Sequence, residues 1–194
     1  QAGCCGALKF HLNEQDAALQ QMRANIDAWW PHIEQGVEAV VMNASGCGVT
    51  VKDYGHLLRH DPAYASKAKR VSELTRDLSE LLPDITAALG TQLAERARQC
   101  GTLAFHPPCT LQHGQQLKGG VESQLHQLGF TLRVASSEAH LCCGSAGTYS
   151  VLQPTLSKQL RDRKLGHLNQ MQPQAILSAN IGCITHLQSG TDLP

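Results

Sequence analysis

The 194 residues carry 16 basic and 16 acidic side chains, and only 4% of them are aromatic. The cancelled charge removes the electrostatic footprint of a duplex-binding protein, and so few rings exclude an extended stacking platform for single-stranded nucleic acid. The 42% of hydrophobic residues suffice for a globular core, but no run of 18 apolar residues offers a membrane span and Gln1 opens no export leader, so the chain reads as cytoplasmic without a transmembrane segment.

In chain order, Asn13 with Asp16 three residues on marks a helix start. Leu19, Met22, Ile26, Trp29 and Trp30 then recur at helical spacing, predicting a helix over 13–35 that is kinked or restarted at Pro31. Residues 37–42 form a short β-branched run that fits a buried strand, which places Cys47 just past a strand end. Two amphipathic helices over 48–60 and 62–82 follow, the second carrying Val71, Leu74, Leu78, Leu81 and Leu82. Residues 83–101 read as a short surface helix or linker, and the boundary between a first lobe (1–90) and a second lobe (91–194) is placed there.

In the second lobe, residues 102–105 form a strand stopped by Pro107 and Pro108, again with a cysteine, Cys109, just beyond it. Thr110 caps a predicted helix to about Leu128, closed by Gly129, and residues 131–135 form the next strand. Helices over 145–152 and 154–171 and a last strand over 175–179 complete the lobe. The expected fold is therefore α/β: two similar lobes, each a small, mostly parallel sheet flanked by helices, with cysteines at the carboxyl ends of the strands.

Six of the eight cysteines fall into a repeat, and a seventh, Cys109, precedes its second copy. Cys4-Cys5-Gly6 is followed 42 positions after Cys5 by Cys47, and Cys142-Cys143-Gly144 is followed 40 positions after Cys143 by Cys183; each lone cysteine follows a glycine. Cys100 lies outside the pattern. Adjacent cysteines bridge each other only with strain, and in a reducing compartment such a set serves metal or redox chemistry more readily than structural disulfides. Cys109, Cys142, Cys143 and Cys183 all follow strand ends of one lobe, so parallel topology would gather them in one pocket.

Four thiolates there can hold zinc or an iron–sulfur cluster. The chain has no Cys-x-x-Cys knuckle, and spread cysteines on glycine-rich turns suit a cluster better than a zinc ribbon. Two other readings stand beside an electron-transfer module: a structural zinc-binding or docking domain without a redox role, and a thiol/disulfide redox enzyme working through Cys142 and Cys143. His106 and His113 flank Cys109 and could donate hydrogen bonds to thiolates. Tyr54 and Tyr149 read as core residues. No Ser/His/Asp set, phosphate loop or Gly-x-Gly-x-x-Gly fingerprint offers a rival catalytic centre.

Cys109, then Cys142-Cys143-Gly144 after 32 intervening residues, then Cys183 after 39 more, resembles the cysteine-rich CCG domain that occurs twice in one component of heterodisulfide reductases. The segments Phe105-His-Pro-Pro-Cys-Thr-Leu-Gln-His113, His140-Leu-Cys-Cys-Gly-Ser-Ala-Gly-Thr-Tyr149, Ala179-Asn-Ile-Gly-Cys183 and Asn25-Ile-Asp-Ala-Trp-Trp30 are similar to glycolate oxidase iron–sulfur subunits, a likeness that spans the chain. The resemblance implies an electron-transfer subunit of a 2-hydroxy acid oxidising complex, holding a 4Fe-4S cluster, or zinc or nothing after aerobic preparation. It implies flavoprotein partner subunits and a place in the cytoplasm, peripheral to the inner face of the membrane through the complex, with no complete active site in this chain. It also implies that the chain is the carboxy-terminal part of a longer subunit that begins with a ferredoxin module.

Carried over residue by residue, the family pattern places ligands at Cys109, Cys142, Cys143 and Cys183. Its final cysteine position is occupied by His186, itself an acceptable ligand type. In the first lobe Cys4, Cys5 and Cys47 match an incomplete set, with Thr50 at the last position.

Overall fold

A computed structural model of the chain describes residues 3–194. It divides into two compact units, Gln1–Leu78 and Ser79–Pro194, each with its own parallel sheet flanked by helices.

In the first unit, α1 (Ala7–His11) and α2 (Gln15–Glu34) precede β1 (Val40–Met42). Helices α3 (Ser45–Lys52), α4 (Tyr54–Leu57) and α5 (Ala65–Leu74) follow, and β2 (Thr75–Asp77) pairs with β1 in parallel, Val41 opposite Arg76. The sequence pattern carries a helix through these last residues to 82, whereas the chain turns into a strand at Thr75. Asn13 is not a cap: it takes a left-handed φ of 64°, which Asn tolerates, and α2 starts two residues later with Pro31 inside its last turn. The predicted apolar stripe does pack, since Met22 and Ile26 are buried against Val51, Tyr54, Leu58 and Val71.

The second unit opens with α6 (Leu82–Gln99), an 18-residue helix where the sequence suggested a short helix or linker. Its Ala, Leu, Gln, Glu and Arg residues are good helix formers, and Pro83 sits in the first turn, where its missing N–H costs nothing. The strands β3 (Thr102–His106), β4 (Thr131–Val134) and β5 (Ala175–Ser178) form an all-parallel sheet in the order β4-β3-β5. Leu103, Ala104, Phe105 and His106 of the central strand are all buried, as expected of a strand covered on both faces. The helix expected from Thr110 to Leu128 is instead a wide turn over Thr110–Gly114, then a left-handed Gly119, then α7 (Gly120–Gln127). Helices α8 (Tyr149–Leu152), α9 (Pro154–Asn169) and α10 (Ile181–Gln188) complete the unit.

The order β4-β3-β5 decides where a site can form. The chain leaves β3 for β4 on one side and reaches β5 on the other, so the loops after the three strands diverge and leave a crevice at the carboxyl end of β3.

Candidate metal centre

Each strand of the second sheet delivers one part of the site. Beyond β3, Pro107 and Pro108 end the ladder and Cys109 opens the wide turn, where the backbone amides of Leu111 and Gln112 both donate to the Pro108 carbonyl (3.0 and 2.9 Å). Beyond β4, a loop runs through the left-handed Glu138 (φ 51°) to Cys142 and Cys143. Beyond β5, Asn180 is extended and Cys183 lies in the first turn of α10.

The four sulfurs converge. Shared hydrogen bonds join Cys109 to Cys142, Cys142 to Cys143, and Cys143 to Cys183. All eight cysteines are free thiols, so the cavity is not tied off in disulfides. The Cys142 thiol is drawn far below its usual value by the Cys109 hydrogen bond and then by that from Cys143. Cys183 falls to about 4 through the Cys143 hydrogen bond, with the His106 ring contributing. The Cys109 and Cys143 thiols, at the other ends of those bonds, are pushed up. Thiols close enough to share hydrogen bonds in this way form a donor set that a metal can deprotonate and hold.

His106 enters this pocket from the end of the central strand. It is 1% exposed, and one of its ring nitrogens lies with the Cys143 and Cys183 sulfurs in a group whose ligand atoms are all within 4.8 Å of one another. Neither ring nitrogen has a nitrogen or oxygen hydrogen-bond partner among the described residues. A buried imidazole whose polar neighbours are cysteine sulfurs fits a pocket completed by a metal centre. His186, by contrast, turns its Nε2 to Ser157, 3.1 Å from the hydroxyl and 3.3 Å from the carbonyl.

Helix α9 holds the cysteine turn in place. Ser157 Oγ donates to the Gly144 carbonyl at 2.8 Å. Further along the same helix, Lys164, 1% exposed, donates from Nζ to the carbonyls of Glu138 (2.8 Å) and Ala139 (3.2 Å). Burial pulls the Lys164 ammonium below its ordinary range, while the nearby thiolates oppose that shift. Arg163 binds the Glu138 carboxylate with both Nε and Nη2, and His167 Nε2 lies 2.9 Å from the same group. Around the sulfurs themselves, Gly144 N–H donates to Cys142 Sγ (3.3 Å), the Cys143 thiol to Ser145 Oγ (3.3 Å), and Asn180 Nδ2 to Cys183 Sγ (3.6 Å).

The first unit repeats this plan with fewer ligands. Cys5 and Cys47 share a hydrogen bond that draws Cys5 down to about 6 and pushes Cys47 up, and the exposed Cys4 lies beside them. Cys47 is the third residue of α3, as Cys183 is of α10, and both helices follow an extended residue, Ala44 and Asn180. Gly6 and Gly144 have φ of 90° and 92°. Each presses its backbone on the carbonyl of the fourth residue of the next long helix, Ala18 of α2 and Ser157 of α9. The cysteine repeat seen in the sequence is therefore also a backbone repeat. Tyr54, fully buried as expected, donates to the Cys5 carbonyl at 2.7 Å, while Asn25 Nδ2 contacts the Cys4 carbonyl (2.8 Å) and the Tyr54 hydroxyl (3.0 Å).

From the sequence, Ser157 and Lys164 were missed altogether and His106 was weighed only as a hydrogen-bond donor. A signal for His106 was present: it ends a short run of strand residues immediately before the prolines, a position that a buried central strand aims at the crevice. Cys100, which lies outside the cysteine repeat, packs half-buried beside the apolar cluster of Leu103, Phe105 and Leu132.

Residues 1–52 and 103–188 match the family described as the cysteine-rich domain, CCG. The glycolate oxidase iron-sulfur subunit of Escherichia coli (strain K12) is 53% identical over 189 residues, 97% of this chain and 45% of that protein. Lactate utilization protein A of Geobacillus kaustophilus (strain HTA426) is 29% identical over 194 residues, 95% of this chain and 73% of that protein. The probable glycolate oxidase iron-sulfur subunit of Bacillus subtilis (strain 168) is 27% identical over 197 residues, 99% of this chain and 42% of that protein. The chain spans less than half the length of the two glycolate oxidase relatives. With both matched segments carrying a Cys-Cys-Gly turn and a helix-borne third cysteine, the chain belongs to the cysteine-rich domain (CCG) family.

Proposed function

We propose that this chain is an electron-transferring iron–sulfur part of a complex that oxidises a 2-hydroxy acid, glycolate above all, with a 4Fe-4S cluster on Cys109, Cys142, Cys143 and Cys183. The observation that carries this reading is the convergence of those four sulfurs, unbridged, in the crevice at the carboxyl end of β3. The relatives named as glycolate oxidase iron-sulfur subunits and lactate utilization proteins support the choice of substrate class. A cluster bound there would supply one-electron carriage. The protein's own part is to deprotonate and position the thiolates, through the α9 clamp on the cysteine turn, and to aim N–H groups at sulfur. In this reading flavoprotein subunits of the same complex deliver the electrons and a respiratory acceptor receives them. No helix among the described residues is long and apolar enough to cross a membrane; a cytoplasmic complex, peripheral to the membrane, is the arrangement we favour. The set Cys4, Cys5 and Cys47 would make a weaker, secondary metal site.

Anaerobic preparation should give brown protein containing iron and acid-labile sulfide in equal amounts, with an EPR signal on reduction. Cys143→Ser should lose most of both. Colourless protein binding one zinc ion and no iron under those conditions would overturn the reading in favour of a structural metal domain.

A further inference from the structure

We propose that His106 is a direct ligand of the metal centre in the second unit, beside Cys143 and Cys183 and in place of one of the other two thiolates named above, so that the centre is a mixed thiolate and imidazole site. This rests on the centre proposed above, but on observations of its own. The pocket places a ring nitrogen of His106 with the sulfurs of Cys143 and Cys183, all within 4.8 Å of one another, the spread expected of atoms around one metal locus. The backbone that carries the ring is fixed: His106 is the last residue of the central strand, in register with Ser178 of β5, and its carbonyl accepts the Ser178 hydroxyl at 2.9 Å. Neither nitrogen finds a nitrogen or oxygen partner among the described residues although the residue is 1% exposed, so the cysteine sulfurs, Cys183 first, are what the ring has to bond. The histidine that follows Cys183 by three positions is otherwise engaged, with its Nε2 on Ser157. Imidazole in place of thiolate removes a negative charge from the centre, and in iron–sulfur sites that substitution raises the reduction potential.

The test uses the full chain, loaded anaerobically with iron and sulfide, with and without 15N-labelled histidine. Pulsed EPR of the reduced centre should show the strong coupling of a directly bonded nitrogen that changes isotope in the labelled protein. His186→Gln should retain that coupling. His106→Cys should keep iron and sulfide, lose the coupling and titrate at a lower potential. A cluster with no bonded-nitrogen coupling, or a coupling that vanishes in His186→Gln and persists in His106→Cys, would overturn the assignment while leaving the cluster intact.

If no cluster assembles even in the wild type, the functional reading above fails, and cobalt(II) tests the ligand separately. Wild type and His106→Cys should then differ in their d–d and thiolate charge-transfer bands, as expected for gain of one sulfur ligand. Identical cobalt spectra would sink the proposal. If His106→Cys fails to fold, the labelled wild type and His186→Gln still test the assignment: a coupling absent from the wild type, or lost in His186→Gln, overturns it.

Discussion

Ser157 donates from Oγ to the carbonyl of Gly144 at 2.8 Å, and its own carbonyl stands where a side chain on Gly144 would have to go. Gly144 also has φ of 92°, a conformation that costs an L-residue roughly 1–3 kcal/mol. With the steric conflict added to that strain, Gly144→Ala should destabilise the second unit by about 3 kcal/mol or more and lower its metal content. At Gly6 an added Cβ would meet the Ala18 carbonyl at 3.0 Å, a milder contact at nearly the same φ, so Gly6→Ala should cost less. Denaturant midpoints of the two variants check the order.

Lys164 spans from α9 to two carbonyls of the loop that leads to the paired cysteines. Lys164→Met keeps the length of the stem but leaves the carbonyls of Glu138 and Ala139 without this donor. The expected loss is about 1–3 kcal/mol of stability. Metal binding by the second unit should weaken as well, because a positive charge close to the thiolates is gone. Thermal unfolding and metal competition measure the two effects separately.

Glu138 gives a pH signature. Its carboxyl group is held below the usual carboxylate range, first by the Arg163 hydrogen bonds and then by His167. A carboxylate whose folded pKa is depressed adds stability above its unfolded value, and that stability is lost as pH falls through the folded value. The advantage of wild type over Glu138→Gln should therefore be present near neutral pH and shrink below about pH 4. Urea denaturation of both proteins across that range is the measurement. A gap that stays constant with pH would mean that the ion pair on this exposed loop contributes nothing.

In the first unit the Tyr54 hydroxyl is the comparable support, since it donates to the Cys5 carbonyl from a fully buried position. Tyr54→Phe should cost about 1–2 kcal/mol, because a buried carbonyl loses its donor and the Asn25 amide loses one of its acceptors. Cys5 and Cys47 should then react faster with a thiol reagent, while the cysteines of the second unit keep their rates.

The cysteine set was legible in the sequence because it needs only two things that a sequence records: strands alternating with helices, and a cysteine just after each strand. Parallel strands put their carboxyl ends on one edge, so Cys109, Cys142, Cys143 and Cys183 had to meet if the strands were placed correctly. The glycines after the paired cysteines were legible for a related reason, since each occupies a left-handed turn that its neighbours could not adopt. Strand β2 was not legible. It is three residues of Thr-Arg-Asp whose pairing with Val40–Met42 lies outside any local window, so helical periodicity ran on through it. Nor was α6, where Gly90 and a polar composition concealed a run of helix formers.

What only the tertiary structure decided is which side chains from distant segments reach the cysteines. His106 faces Cys143 and Cys183 because β3 is the middle strand, and strand order is set by long-range pairing rather than by any residue near position 106. Ser157, Arg163, Lys164 and His167 serve the cysteine turn because of how α9 packs beneath it, while their spacing alone would describe an ordinary amphipathic helix. The sequence by itself determined the donors and the order in which the chain presents them; the assembly of the sheet, governed by contacts far apart in sequence, determined which histidine and which lysine stand beside them.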